Sequence, residues 1–340
     1  MLLRRLVVSA VAVLAASALQ AAELRVLSHS SFSVNKQKLA EFEQKNGVKV
    51  SIIKAGDAGE MLNKLILTKS APIADVVYGI DNLLLAKAQS AGVLERYTAP
   101  TSANVRSFKL GDALTPVDYG WVMLNVDKAY VAQHKLALPK TLEDLTQPAY
   151  KGMLVVENPA TSSTGLAFLA ATVNHFGEQK AWAFWEKLRD NDLKITQGWT
   201  EAYEKEFSRN GGKRPFVVSY QTSPAAELFY SEGKLKEPPT DNLYLPGSRF
   251  MQVEGVALVK GGKEAALGKA FIAFLQSEGV QQELPTSMWM FPVLQTVKLD
   301  DSYRFAQAPQ GSNKNEQPVV SQNAQQLQDW VARWTRIMRP

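Results

Sequence analysis

The chain has 340 residues, 46% of them hydrophobic, with 38 Lys and Arg against 33 Asp and Glu and no cysteine. That length can bury a large core and favours two lobes or domains. The lack of cysteine excludes thiol catalysis and zinc–thiolate sites, and basic residues that are scattered rather than clustered give no footprint for nucleic acid.

Residues 1–22, MLLRRLVVSAVAVLAASALQAA, carry Arg4 and Arg5, an uncharged run from Leu6 to Leu19, and small residues around Ala18 to Ala22. These are the three parts of a secretory signal peptide. The run of 14 residues is short of the roughly 20 that span a bilayer. Export with cleavage near residues 18–22 is expected, leaving a periplasmic chain that does not insert in the membrane. Loss of the two arginines takes the formal charge from +5 to +3.

From Glu23 onward, strand patterns alternate with helical ones. LRVLSHSSF reads as a strand, VNKQKLAEFEQKNG as a helix closed by Gly47, and VKVSIIKA as a second strand. GEMLNKLILTKS, IADVVYGI and DNLLLAKAQSAG continue as helix, strand and helix, the last ended by Gly92. Glycine at both ends suits the left-handed residue that stops a helix. A second series follows: strand KGMLVVENP, helices STGLAFLAATVNHFG and KAWAFWEKLRDN, strand LKITQ leading to EAYEKEFSRN, and strand RPFVVSYQ leading to helix PAAELFYSEG. Beyond it lie a long strand RFMQVEGVALVKGG, a helix or helix pair KEAALGKAFIAFLQSEGVQQEL, a polar stretch over 300–320 that reads as a surface loop, and an amphipathic tail helix QNAQQLQDWVARWTRIM. Short strands rich in Val and Ile, alternating with helices, indicate an α/β architecture of mostly parallel sheets flanked by helices. TPVDYGWVMLNVDK and RFMQVEGVALVKGG are candidate crossings between the two series. The expected layout is two lobes, residues 23–117 with 251–340 and residues 118–250, joined by a two-strand hinge.

Ligands of such sheets sit beyond the carboxyl ends of the strands, and polar residues collect there. After the strand PFVVSY comes Gln221-Thr222-Ser223-Pro224. Ser223 suits an N-cap and Pro224 the first helical position. Tyr220, Gln221 and Thr222 exceed what capping requires and are candidate cleft residues. Asn158-Pro159-Ala160-Thr161-Ser162-Ser163-Thr164-Gly165 precedes another helix, with four hydroxyls where one cap would serve. Helix starts also hold anions such as phosphate. Trp199 follows Gly198 at a third junction and can offer an aromatic face to a ring or cation. His29, Asp57, Asp81 and Asn82 stand at strand ends of the first series, with Asp57 and Asp81 equally suited to cap the helices that follow. Pro285 to Pro292, PTSMWMFP, reads as an apolar loop buried against a ligand or a neighbouring core.

Six separated stretches, ADVVYGIDNLLL, VDYGW, NPATSSTGL, ITQGWTEAY, VVSYQTSPA and LPTSMWMFPV, resemble in order the periplasmic thiamine-binding proteins of ABC importers, over about Leu24 to Trp330. The resemblance implies a two-lobed periplasmic binding protein that closes on its ligand. It implies ligand contacts from Asp57 with Ala58, Ser162 and Ser163, Trp199, and Tyr220, Gln221, Thr222 and Ser223, with Trp289 as an aromatic wall and His29 at the first strand's end. It implies no catalytic residue, metal or cofactor; thiamine as ligand, with its mono- and diphosphates as further candidates; and an inner-membrane ABC permease with its ATPase as partner. The thiazolium of thiamine is a permanent cation that suits aromatic faces and a carboxylate, and its aminopyrimidine matches Ser, Thr and Gln. A phosphate would sit at the Ser162–Ser163 helix start. Three positions depart from the family pattern: Ala226 and His29 stand where aromatic residues can, and Ala58 follows Asp57 where glycine can. Two fewer aromatic walls weaken stacking and retune the pocket.

Two other readings use the same residues. A binding protein of the same superfamily for ferric iron would use tyrosine oxygens; Tyr78, Tyr119 and Tyr220 include no adjacent pair, and His29, His134 and His175 lack ligand spacing. A polyamine is a further candidate of that kind. An exported Ser–His–acid hydrolase needs a nucleophile and a positioned base, but there is no G-x-S-x-G and no histidine pairs by sequence with a serine.

Overall fold

The structure, a computed structural model, describes residues 22–100, 102–307, 316–321 and 323–339. The expected leader, Ala22 apart, lies outside them. Strands β1 (Ala22–Ser28), β2 (Val48–Lys54) and β3 (Val76–Asp81) are parallel in the order β2-β1-β3, with α1 (Lys36–Asn46), α2 (Ala58–Leu67) and α3 (Leu84–Ala91) packed on them. Gly47 and Gly92 take the left-handed conformation that closes α1 and α3.

The chain then crosses on β4 (Thr115–Asp127) and continues through α4 (Lys128–His134), β5 (Leu154–Glu157), α5 (Ser163–Phe176), α6 (Glu178–Asp190) and β6 (Lys194–Thr196). A single turn α7 (Trp199–Glu201), β7 (Phe216–Tyr220), α8 (Ser223–Phe229) and β8 (Thr240–Leu243) follow. It returns on β9 (Phe250–Leu258), and α9 (Ala265–Leu275), α10 (Glu278–Ser287), β10 (Phe291–Pro292) and α11 (Ala324–Met338) complete it. The continuous sheet runs β2-β1-β3-β9-β4-β7-β5-β6, with β8 and β10 paired to β4.

The expectation of mostly parallel strands holds inside each group, where β5 is parallel to β6 and β7 as β1 is to β2 and β3. It does not hold at the centre. A chain that passes from one group to the other and comes back lays its two crossings side by side in opposite directions, and β4 and β9 pair antiparallel over Thr115–Val122. Both neighbours of β9 slip at one place: the register shifts between Tyr78 and Ile80 on β3 and between Pro116 and Asp118 on β4, each beside Gly255. Such bulges bend and twist a strand.

Three local expectations are corrected. The stretch PTSMWMFP is not all loop: α10 runs through Pro285 to Ser287, and Phe291–Pro292 pairs with Tyr119 and Asp118 of β4. EAYEKEF is not a regular helix; after α7 a π-helix covers Ala202–Glu206. The helix at SPAAELF begins with Thr222 at the capping position, so Ser223 is its first residue and makes no cap bond. The tail helix α11 packs on α6: Trp334 is buried with its ring 5.7 Å from that of Trp185, and Trp330 Nε1 donates to Glu178 Oε1 at 2.9 Å.

Candidate functional site

A cleft of about 640 Å3 lies at the strand ends. The segment after β1 gives it His29 and Ser31, and the start of α2 gives it Asp57. The other group supplies Ser163 of α5, Trp199 of α7, Tyr203 and Glu204 of the π-helix, and Tyr220 of β7. Glu254 of β9 reaches it from the crossing pair, and the end of α10 brings Met288 and Trp289.

Asp57 works through both oxygens. Its Oδ1 accepts the Ala58 N–H at 2.8 Å, and its own N–H donates to Glu60 Oε2 at 3.3 Å, a capping box that starts α2. Its Oδ2 accepts the Trp199 backbone N–H at 3.1 Å. Beside it the Glu60 N–H donates to the Thr161 carbonyl at 3.1 Å. The first turn of α2 therefore touches the loops before α5 and α7, and the cleft is closed along that edge.

The aromatic side chains are held from behind. Trp199 stacks on Tyr203 with ring centres 5.0 Å apart and 15° between planes, and its Nε1 donates to Ser219 Oγ at 2.8 Å. Trp289 has a left-handed backbone at φ 56, a conformation that costs a bulky residue about 1–3 kcal/mol and marks sites under functional constraint. The Thr222 hydroxyl donates to its carbonyl, its Nε1 donates to Tyr230 Oη at 3.0 Å, and Tyr303 stacks on it at 5.8 Å.

A buried polar chain forms the cleft floor. His29 Nε2 lies 3.6 Å from Glu254 Oε2, and Gln252 Nε2 donates to Glu254 Oε1 at 2.9 Å and to Tyr220 Oη at 3.2 Å. Tyr78 Oη bonds both Asp118 and Glu254. Burial, then the charge of Glu254, pushes the Asp118 carboxyl well above the usual range, while the hydrogen bond from Tyr78 draws it back. Burial would also raise Glu254, but the charge of His29 and the hydrogen bonds of His29, Tyr78 and Gln252 together outweigh it and hold Glu254 below its ordinary value.

Of the residues expected at the site, His29, Asp57, Ser163, Trp199, Tyr220, Thr222, Ser223 and Trp289 line this one cavity. Ala58, Ser162 and Gln221 lie behind its wall. Ala58 is buried in the first turn of α2. Ser162 is buried with its Oγ 2.9 Å from Thr164 Oγ1. Gln221 is buried, and its Nε2 donates to the carbonyls of Ala306 and Gln307; residues adjacent to one another at a strand's end point to opposite sides, so Tyr220 faces the cleft and Gln221 does not. The sequence reading did not single out Tyr203, Glu204, Glu227, Tyr230 and Glu254 as cleft residues.

An aromatic-walled cavity of this size with carboxylates at fixed points suits a small organic cation. A family model for bacterial extracellular solute-binding proteins matches residues 71–309. The chain belongs to that family, whose members are not enzymes but periplasmic proteins that carry a small solute to an ABC permease. Within it, the chain is 31% identical over 264 residues, 76% of this chain and 74% of that protein, to the thiamine-binding periplasmic protein of Brucella suis biovar 1 (strain 1330). It is 28% identical over 307 residues, 87% of this chain and 86% of the other, to the thiamine-binding periplasmic protein of Escherichia coli (strain K12). The solved structure of a periplasmic thiamin binding protein superposes with a TM-score of 0.77 at 25% identity, covering 94% of this chain and 96% of that one. Among the described residues no helix is long and apolar enough to cross a membrane.

Proposed function

We propose that this protein captures thiamine in the periplasm and hands it to the permease and ATPase of an ABC importer, after export by a cleaved leader. The carrying observation is one cavity in which the Trp199–Tyr203 stack and Trp289 stand with the carboxylates of Asp57 and Glu254. The rings of the ligand stack on the aromatic faces, the thiazolium charge is balanced by a carboxylate, and Ser163, Thr222 and Ser223 offer hydroxyls to the pyrimidine. The lobes are residues 23–117 with 251–340 and residues 118–250, and β4 and β9 are the hinge on which they close. Contacts from both lobes make the closed form the tighter binder, and that difference in affinity is what drives closure.

Ferric iron fits this cleft less well. Glu254 is engaged by His29, Tyr78 and Gln252, and Glu227 accepts from Tyr203 at 2.6 Å and from Thr240 at 3.2 Å. Burial first, then nearby carboxylates, pushes the hydroxyls of Tyr203 and Tyr220 well above their usual range, away from the phenolate that iron takes. Among the described residues no group of three or more His, Asp or Glu side chains is placed to hold a metal ion. Mass spectrometry of small molecules released on denaturing the purified protein, followed by titration calorimetry with thiamine, tests the reading. Release of thiamine and saturable binding support it; release of iron or a polyamine, with no heat on adding thiamine, rejects it.

A further inference from the structure

Resting on the reading of the cleft as a thiamine site, we propose that Tyr230 is the residue that recognises the pyrimidine half of the ligand, covering its ring beside Trp289 and donating a hydroxyl proton to a ring nitrogen. The first observation is where the Tyr230 ring stands. Tyr230 closes α8 and lines the cleft on the face that carries Ser223 and Ala226. One turn before it, Ala226 brings only a methyl group to the lining, so the aromatic surface of this helix face comes from Tyr230. Tyr230 is 62% exposed, whereas Trp199, Tyr203, Tyr220 and Trp289, which line the same cleft, are buried or half-buried. A large ring left bare in a cleft is surface for a ligand to cover.

The second observation concerns a proton. Trp289 Nε1 lies 3.0 Å from Tyr230 Oη. An indole N–H can only donate, so the phenol oxygen accepts here and its own proton points elsewhere. Among the described residues no acceptor takes that proton. Accepting from the indole polarises the phenol and strengthens it as a donor. Trp289 is itself held in place, since the Thr222 hydroxyl donates to its carbonyl and the Tyr303 ring stacks on it with 13° between planes. Tyr230 and Trp289, with ring centres 5.5 Å apart and planes at 65°, form an aromatic corner that keeps one uncommitted donor.

Of the two rings of thiamine, only the aminopyrimidine has nitrogens that accept a hydrogen bond; the ring nitrogen of the thiazolium is quaternary and has no lone pair to offer. Thr222 and Ser223, the hydroxyls offered to the pyrimidine, stand at the start of the helix that Tyr230 ends. The same ring then meets both ends of α8.

Titration calorimetry of the full mature chain, with thiamine and an N-benzyl thiazolium analogue as probes, tests this. In the analogue a phenyl ring replaces the aminopyrimidine, so the ring remains and its acceptors are gone. Tyr230→Phe keeps the ring and removes the proton. It is expected to weaken thiamine about three- to ten-fold, the range of one net hydrogen bond, and to leave affinity for the analogue unaltered. Tyr230→Ala removes the ring as well and should weaken both ligands, about ten-fold for thiamine, with the melting temperature of the ligand-free chain nearly unaltered because the side chain is exposed. A Tyr230→Phe chain that binds both ligands as the wild type does, or weakens both equally, overturns the hydrogen bond. Undiminished thiamine affinity in Tyr230→Ala overturns the proposal entirely, while leaving the thiamine reading intact. A wild-type chain that binds neither ligand overturns that reading and this inference together.

Discussion

Asp57 separates two roles that one substitution can pull apart. Asparagine caps a helix as well as aspartate does and its one amide oxygen can keep the Ala58 N–H, but it carries no charge and its NH2 group cannot accept the Trp199 N–H. Asp57→Asn is therefore expected to weaken thiamine binding about 10- to 100-fold, the range given by about 1.5–3 kcal/mol for a charged contact, with the melting temperature of the ligand-free chain nearly unaltered. Calorimetry and thermal melts on the same sample check both halves; undiminished affinity would remove the carboxylate from recognition. His29 makes a second residue-scale prediction, in pH. Burial alone would lower its pKa, yet the charge and hydrogen bond of Glu254 outweigh burial and raise it, with Asp57 adding to the rise, Lys54 opposing it and the Tyr78 ring packed alongside. The stability this pair contributes is present below the ordinary histidine value and fades as pH rises through the raised one; at the acid end it fades as pH falls through the lowered value of Glu254. For a cationic ligand the upper edge has the reverse sense. Once His29 loses its proton, the charge of Glu254 is left for the ligand, so affinity should increase with pH across that titration, and His29→Gln should flatten the curve. Affinity that declines over the same range would contradict the pairing.

At the scale of elements, α2 and α5 meet through a glycine. A Cβ built on Gly59 would lie 2.6 Å from the Thr161 carbonyl oxygen, far inside contact distance. Alanine in a helix usually gains about 1 kcal/mol over glycine, but here it must push the first turn of α2 off the loop before α5. Gly59→Ala should thus loosen the closed edge and weaken thiamine binding several-fold without lowering the thermal stability of the ligand-free chain; unchanged affinity would show that this contact does not hold the closed form. Much at this scale was legible in the sequence. Alternating Val- and Ile-rich runs with glycine stops placed both strand groups and helices α1, α3, α5 and α6, because those signals are local. The face of α8 was legible too, since Ser223, Ala226, Glu227 and Tyr230 recur at helical spacing and all line the cleft, yet of these the reading took up Ser223 and Ala226 alone. Tyr230 brings an aromatic ring one turn beyond the alanine at 226, beside Trp289 at 5.5 Å. What stayed hidden depends on partners distant in the chain: the antiparallel pairing of β4 with β9, the two-residue strand β10, the docking of α11 on α6, and the turning of Gln221 away from its neighbour Tyr220. No periodicity reports which of two surfaces an amphipathic tail covers, or where a strand too short to alternate will pair.

On the proposed hinge reading, the two halves bend where β4 and β9 run side by side. Among the described residues, β4 and β9 are the strands that cross between the groups within the sheet, and the bulges on β3 and β4 flank Gly255. A Cβ there would lie 2.5 Å from Leu114 Cγ and 2.8 Å from the Thr115 carbonyl oxygen, so the close approach of backbones at this point depends on glycine. Glu254 is the next residue, and through it His29, Tyr78 and Asp118 are tied to the bend. Thiamine should reduce the radius of gyration measured by small-angle scattering, and at about 100 times its dissociation constant it should add about 2.7 kcal/mol of stability, visible as a melting temperature several degrees higher. Gly255→Ala replaces no lining side chain but crowds the bend against Leu114. It is expected to shrink the ligand-induced change in radius and to weaken binding together, whereas a substitution that acted only on stability would lower the melting temperature and leave both responses at wild-type size. A Gly255→Ala chain that still contracts fully around thiamine with native affinity would move the hinge elsewhere along β4 and β9.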